Sequence, residues 1–294
     1  MSAPIRTDIC VLGGGPAGAA IARRLALLGH EVWIVERAQF PRAHIGESLT
    51  PGILPLLDLL GVRSRVEEAE FLRPDAAMIR WEDATEMRAL PAGERGFQVD
   101  RGRFDALLLE AACEAGAQLL QPAIAGKPVR EGAQQWRVPL RFQGQDLLLQ
   151  ARFVVDATGR RATLGGPKRR SGTPTLALFA YWKQAGMMGS ETRVEAGREA
   201  WFWGAPLPDG TFNATVFLDP KRGVGHTRHD LENLYRNLLA ESSLLGGCLE
   251  GVPAGEMVAC NATTYQDPQP VGEDFLKVGE ASFSIDPLSS QGVQ

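Results

Sequence analysis

Three glycines and one carboxylate near the start of the chain carry its most explicit chemistry. An apolar run, Ile9-Cys10-Val11-Leu12, meets Gly13-Gly14-Gly15-Pro16-Ala17-Gly18 and passes into the helix-forming stretch Ala19 to Leu28. A second apolar run, Val32 to Val35, ends on Glu36. Gly13 permits a tight turn, Gly15 lets the main chain approach a diphosphate, and Gly18 lets the helix lie close to its strand, while N–H groups at the helix start attract the anion. The Glu36 carboxylate, at the tip of the second strand, can accept hydrogen bonds from ribose hydroxyls. Strand, turn, helix, strand and acidic tip together specify a dinucleotide site without separating FAD from NAD.

Such a site has to be positioned by a parallel sheet, and the rest of the chain supplies one in pieces. Residues 38–50 are too irregular for a strand. Thr50 is a reasonable N-cap, with Pro51 in the first helical position, for a short helix over Ile53 to Leu60. Strands are expected at Ala76 to Trp81 and Phe97 to Val99. Apolar spacing through Phe104, Leu107, Leu108, Ala111 and Ala112 predicts an amphipathic helix over Arg101 to Ala115, followed by a strand over Ala117 to Leu120. Trp136 to Phe142 and Asp146 to Val155 read as a hairpin that ends in Asp156-Ala157-Thr158-Gly159, a turn at the edge of an α/β sheet where ligands gather. From about residue 172 the texture changes to short β-type runs, Leu176 to Trp182, Ala200 to Trp203 and Phe212 to Leu218, and then a long helix over His226 to Leu245. Phe275 to Glu280 returns to the buried-strand-then-turn pattern. The fold class is therefore α/β: a Rossmann-like, doubly wound and mainly parallel sheet with an inserted antiparallel β-sheet and helix. Residues 1–75, 101–171 and 266–294 are assigned to the nucleotide domain, and residues 76–100 and 172–265 to a substrate domain.

With 294 residues, 44% hydrophobic and 22% charged, the chain can bury two sizeable lobes. A formal net charge of −4 gives no electrostatic case for nucleic acid or an anionic membrane. Cys10, Cys113, Cys248 and Cys260 form no C-x-x-C pair and read as buried thiols, which favours a reducing compartment. No signal pattern and no membrane-length apolar run is present, so the expected location is cytoplasmic. His226 and His229 read as a solvated helix face and Lys168-Arg169-Arg170 as a solvated loop, and no metal is expected. Trp201 and Trp203 alternate and so share one face of a strand. The chain stops at Gln294, directly after a loop that should open a helix, and is expected to continue.

The glycine turn with Glu36, Arg101 opening a helix, Asp156-Ala157-Thr158-Gly159, and Gly279-Glu280 followed by Asp286-Pro287 resemble the FAD-dependent monooxygenases of the p-hydroxybenzoate hydroxylase fold. Phe40-Pro41-Arg42, Ile45-Gly46-Glu47-Ser48, Trp201 to Pro206 and Asp286-Pro287-Leu288 with Gly292-Val293 resemble, more narrowly, the flavin-dependent halogenase branch. The resemblance implies that Gly13, Gly15, Pro16, Ala17, Gly18, Glu36 and Arg37 hold the ADP half of FAD. It implies that Arg42 and Arg101 contact the cofactor, with Arg101 near the diphosphate. Ser48, Asp156, Gly159, Gly279 and Glu280 are further cofactor residues on this basis, and Pro287 to Gly292 lie against the isoalloxazine. His44, Glu47 and Gln291 are the candidates for catalysis.

Departures from the family pattern shape the expected chemistry. Halogenases of this branch use a lysine between the G-E-[AS]-[ST] motif and the next tryptophan, and here that position falls at Arg73 or Pro74; no lysine precedes Lys127. A guanidinium stays protonated and offers no free amine. Gln291 stands where the halide-site loop has a small hydroxyl residue. The resemblance then implies hydroxylation of an electron-rich aromatic ring through a flavin C4a-hydroperoxide, ahead of halogenation. The substrate is an aromatic small molecule or a polypeptide bearing the target residue, as in relatives that hydroxylate tryptophan during quinone-cofactor biogenesis. NAD(P)H or a separate flavin reductase supplies electrons. An isoprenoid reductase and a non-catalytic flavin-binding assembly factor are the further alternatives.

Overall fold

The computed structural model describes residues 3–293, apart from residues 83, 92, 94, 185, 188 and 224–226. Apolar runs with few polar interruptions form the parallel strands of the first sheet. β1 (Ile5–Leu12) has β2 (Val32–Val35) and then β7 (Gln118–Leu120) on one side; on the other lie β11 (Gln145–Asp156) and beyond it β20 (Phe275–Lys277), all parallel. β8 (Ala123–Ala125), β9 (Val129–Gly132) and β10 (Gln135–Phe142) extend this sheet antiparallel.

Alternation along β1 feeds two cores. Ile9 and Val11 pack with buried residues of α1 (Pro16–Leu27), α2 (Ile53–Leu60), α3 (Arg63–Glu68) and α4 (Arg101–Glu114). Cys10 and Leu12 point the other way and pack with Trp136, Val138, Leu140 and Leu149. The helix expected over 101–115 and the hairpin expected over 136–155 are thus present within a residue or two.

The start of α2 differs from expectation. Its N-cap is Gly52, without a side-chain cap, and Pro51 lies outside the helix. Ile53 N donates to the Thr50 carbonyl, so a backbone turn and not a threonine hydroxyl opens this helix. Residues 48–49, expected to be irregular, form β3 (Ser48–Leu49) against β6 (Phe97–Gln98). Gly96 permits that pairing, because a Cβ there would collide with the Leu49 carbonyl.

A second eight-stranded sheet joins β4 (Ala76–Trp81) and β5 (Ala84–Ala89) to β13 (Leu176–Lys183), β14 (Thr192–Ala196), β15 (Trp201–Pro206), β16 (Phe212–Leu218), β17 (Val252–Pro253) and β18 (Val258–Asn261). It is antiparallel except where β4 meets β14. A small third sheet contains β12 (Arg169–Arg170), β19 (Tyr265–Gln266) and β21 (Phe283–Ser284). Leu178, Ala180, Trp182, Phe202, Ala214 and Val216 pack with Tyr235, Leu238 and Leu239 of α5 (Arg228–Glu241). The opposite face carries Ala177, Trp203, Ala205 and Phe217, and by alternation Tyr181 and Asn213. α5 is shorter than the expected 226–245 span. The reciprocal Thr227–Asp230 capping box opens it, and extended backbone at Ser242 closes it. His226 of the His226/His229 pair lies outside the described residues.

All four cysteines are free. Among the described residues no helix is long and apolar enough to cross a membrane, and no cluster of three His, Cys, Asp or Glu side chains could hold a metal.

Two glycines separate backbone strain from collision. Gly13 has φ of +100° and an added Cβ would strike the Ala157 carbonyl, whereas Gly29 has φ of +88° in open space. Gly13→Ala is expected to lower the unfolding free energy of the apo chain by more than ~2 kcal/mol in urea denaturation, and Gly29→Ala by about 1 kcal/mol. Equal losses would contradict this packing.

Candidate functional site

The site is assembled where β1 runs into α1. Gly13 N donates to the Val35 carbonyl at 2.9 Å, tying the turn to β2. Gly18 lies so close to the Gly13 carbonyl that any side chain there would displace the turn. Gly15 is the extended N-cap of α1, whose first turn has no acidic residue to neutralise its positive end. A Cβ on Gly15 would meet only Arg42 Nη2, at 3.5 Å. The Arg42 guanidinium stacks over Phe40 at 4.8 Å and approaches Asp105 Oδ2 to 3.3 Å, while its Nη1 is buried with no hydrogen-bond partner. A helix N-terminus, a backbone free of side chains and a guanidinium arm still to be paired are together the donor set of a diphosphate site. Gly279 reaches the same place from the other end of the chain, with a Cβ there only 3.0 Å from Ala17 Cβ.

The remaining expected cofactor residues divide by what their side chains already hold. Glu36 is buried, and its two carboxylate oxygens accept from Gly14 N and Ala38 N, each at 2.7 Å, so it shapes the glycine turn as well as standing at the strand tip. The Asp156 carboxylate is fully buried and turned inward: it accepts from Thr158 N, Thr158 Oγ1 and Leu164 N, which holds its own turn. Gly159 follows with φ of +64°. Glu280 pairs with Arg160 at 3.0 Å, and Arg37 is exposed.

Arg101 is the second organising cation. Asp100 caps α4 by accepting from Arg103 N at 2.8 Å, which fixes Arg101 in the first turn. Its guanidinium makes a bidentate pair with Asp105, at 2.8 and 3.1 Å, and donates to the carbonyls of Ile45 (2.7 Å) and Gly46 (3.2 Å). Asp105 has no exposed surface and bridges Arg101 to Arg42. Arg101, expected near the diphosphate, spends its donors on Asp105 and the 45–46 carbonyls, and Asp105 joins it to Arg42 beside the glycine turn.

The loop held by Arg101 carries the catalytic candidates. Glu47 is buried and points into the second sheet, where Oε1 accepts from Tyr181 Oη at 2.5 Å and Oε2 accepts from Gly46 N at 2.9 Å and Asn213 Nδ2 at 3.4 Å. Burial raises the Glu47 pKa, with the Tyr181 hydrogen bond opposing; the Tyr181 pKa is raised by burial and then by the Glu47 charge. Ser48 Oγ accepts from Gln98 Nε2 at 3.2 Å. His44 keeps an exposed edge, yet the protein around its ring and the Arg101 charge lower its pKa, and Nδ1 lies 2.7 Å from the Ile45 carbonyl.

The far loop reaches the same sheet face through one apolar residue. Asp286 Oδ1 accepts from Leu288 N at 3.0 Å to start the short turn 287–289, and Leu288 packs on the cluster of Trp203 and Phe217. Pro287, Gln291 and Gly292 are exposed, and among the described residues no hydrogen bond joins Gln291 to His44 or Glu47. Trp201 and Trp203 share a face as expected but differ in role: Trp203 is buried, with Nε1 unpartnered, and Trp201 meets Trp81 edge-on near the surface at 5.0 Å. At the expected lysine position, Arg73 donates to the Arg95 carbonyl at 2.8 Å and stacks over Phe97 at 4.8 Å.

Sequence reasoning missed Asp105, Tyr181 and Asn213. The Arg101–Asp105 spacing of one helical turn was a usable signal. Tyr181 and Asn213 had none beyond their shared strand face.

This geometry defines a dinucleotide-binding unit joined to an antiparallel sheet, and the FAD binding domain family matches residues 6–176. The chain belongs to that family. It is 30% identical to a tryptophan 2-halogenase of Chondromyces crocatus, over 100% of this chain and 59% of the relative, and 27% identical to a flavin-dependent halogenase of Armillaria mellea, over 99% and 63%. The chain therefore spans about six tenths of the length of these curated relatives. Among solved structures, the myxobacterial chondrochloren halogenase superposes with a TM-score of 0.89 at 26% identity, covering 99% of this chain and 71% of that one. A peptidyl tryptophan dihydroxylase essential for tryptophylquinone cofactor biogenesis superposes with a TM-score of 0.77 at 29% identity, covering 98% and 63%.

Because a Cβ on Gly15 meets only Arg42 Nη2, Gly15→Val is expected to lower the unfolding free energy by no more than about 1 kcal/mol, the cost of a branched residue at a helix N-cap. The same substitution should weaken FAD binding by roughly a hundredfold or more, as the branched side chain occupies the diphosphate position. Flavin fluorescence titration checks this, and unchanged FAD affinity would refute the placement.

Proposed function

We propose that this chain binds FAD across the N-terminus of α1 and serves an enzyme that oxidises an electron-rich aromatic ring, with halogenation as the outcome. The observation that carries the reading is the unpaired Arg42 arm beside Gly15, linked through Asp105 and Arg101 to a loop that leans on an aromatic sheet face. Gly13, Gly15, Ala17, Gly18 and Arg42 would hold the diphosphate. Glu36 would meet the ribose, and Glu280 and Gly279 the ribityl side. Residues 45–48 and 287–292 would flank the ring system.

Once reduced, bound FAD supplies the activation of O₂. The chain's own residues orient the ring and keep water out: Trp203, Phe217 and Leu288 form a dry wall, and Glu47, held by Tyr181 and Asn213, fixes the loop opposite it. Electrons come from NAD(P)H or from a separate reductase. The substrate is a small aromatic molecule or an aromatic residue of a polypeptide.

Halogenation is placed first because the relatives at 30% and 26% identity are halogenases, which supports it better than the hydroxylation expected from the sequence alone. Hydroxylation is the second reading, and one observation favours it. Arg73 and Pro74 stand at the expected lysine position, and the Arg73 guanidinium, which offers no free amine, donates to the Arg95 carbonyl and stacks over Phe97.

The deciding experiment supplies the FAD-loaded protein with a flavin reductase, NAD(P)H, O₂ and bromide or chloride, using tryptophan and simple phenols as substrates. Mass spectrometry should show a halogen adduct that depends on halide. Oxygen addition alone selects hydroxylation, and unmodified rings under all conditions defeat both readings.

A further inference from the structure

The hydrogen-bond inventory of Tyr181 distinguishes it from its neighbours on the sheet face. A phenol has one proton to donate and two lone pairs with which to accept. Tyr181 gives its proton to Glu47 Oε1 at 2.5 Å. The ionised Glu47 carboxylate can only accept, and its other oxygen is filled by Gly46 N and Asn213 Nδ2, which leaves Oε1 to Tyr181. Asn213 is oriented in turn: its Oδ1 accepts from Thr215 Oγ1 at 2.9 Å, leaving its amide nitrogen for Glu47. What Tyr181 retains is acceptor capacity, on a half-buried ring that meets Phe179 edge-on at 6.0 Å.

A second acceptor stands beside the same loop. Gln98 is fully buried and donates from Nε2 to Ser48 Oγ at 3.2 Å and Thr192 Oγ1 at 2.9 Å, while its Oε1 has no partner. Ser48 directly follows Glu47, so the loop between the two lobes is flanked by oxygens with lone pairs to fill. Gln98 is enclosed, whereas the half-buried phenol of Tyr181 is open on one side, so a ligand that brings a donor to it gains more than one that does not.

We propose that Tyr181 is the specificity-determining residue of the substrate site: held by Glu47 as an acceptor only, it selects rings that present an N–H or O–H and disfavours rings that present only an acceptor. The assignment rests on the reading that an aromatic ring binds over this face. Glu47 is then a positioning residue, acting through Tyr181.

Indole and benzofuran test this, since they share a shape and differ in presenting N–H or ring oxygen. Their equilibrium affinities for the FAD-loaded protein are read from the perturbation of the flavin absorbance. Wild type should prefer indole by roughly tenfold. In Tyr181→Phe the ratio should collapse to about one with FAD retained; Glu47→Ala should lower it, and so should Glu47→Gln, whose oxygen is held by Gly46 N and Asn213 Nδ2 so that its NH2 faces Tyr181 and turns the phenol into a donor. Equal affinities in wild type, or a Tyr181→Phe variant that keeps the wild-type ratio, would overturn the assignment and show that the Glu47–Tyr181 contact only staples loop to sheet. The wild-type comparison decides alone if the variants do not fold. Turnover of aromatic substrates without indole preference sinks this assignment and leaves the proposed function standing, whereas failure to bind any aromatic ring sinks both.

Discussion

Asp105 is the charge on which the site depends. It has no contact with solvent, and its carboxylate lies between the guanidinium groups of Arg101 and Arg42. Removing one partner of such a buried ion pair typically costs about 3–5 kcal/mol. The two arginines are constrained by the same pairing. Arg101 faces the 45–48 loop and Arg42 the glycine turn, so one buried ion fixes the spacing between that turn and the loop that meets the second sheet.

From that centre the architecture follows in both directions. Toward the nucleotide, Gly13 and Gly18 allow β1, α1 and the 156–159 turn to approach at distances that no side chain permits, and Glu36 closes the turn through Gly14 N. Toward the sheet, Glu47 carries the connection across to Tyr181 and Asn213. The charged chain Arg42–Asp105–Arg101 ends on backbone carbonyls, and the hydrogen bonds of Tyr181 and Asn213 to the Glu47 carboxylate begin at the adjacent residue. The glycine turn and the aromatic face of the second sheet are thereby linked through one short loop.

Local features of this arrangement were legible in the sequence, and pairings across the chain were not. The glycine turn declares itself because each glycine answers a local steric demand, and the α4 helix because its apolar spacing is regular. Arg101 could be singled out, but its partner Asp105 could be found only by taking the one-turn spacing as an ion pair. The direction of Glu47 was unreadable: it depends on the two-residue pairing of β3 with β6, which Gly96 permits from half a hundred residues away. Asp156 shows the opposite limit. An acidic residue at a sheet edge looks like a ligand, yet its carboxylate is turned into its own backbone. The ordering of hydroxylation over halogenation turned on a missing lysine, while the relatives weigh toward halogenation, because reaction type depends on a few side chains and the fold tolerates both.

The most direct measurement is a crystal structure of the FAD-loaded protein at a resolution that places the diphosphate. Phosphate oxygens are expected over Gly15 and Ala17, with Arg42 Nη1 as a donor and the Arg101–Asp105 pair intact beneath the 45–48 loop. A diphosphate bound elsewhere, or Arg42 Nη1 still unpartnered with FAD in place, would contradict this placement.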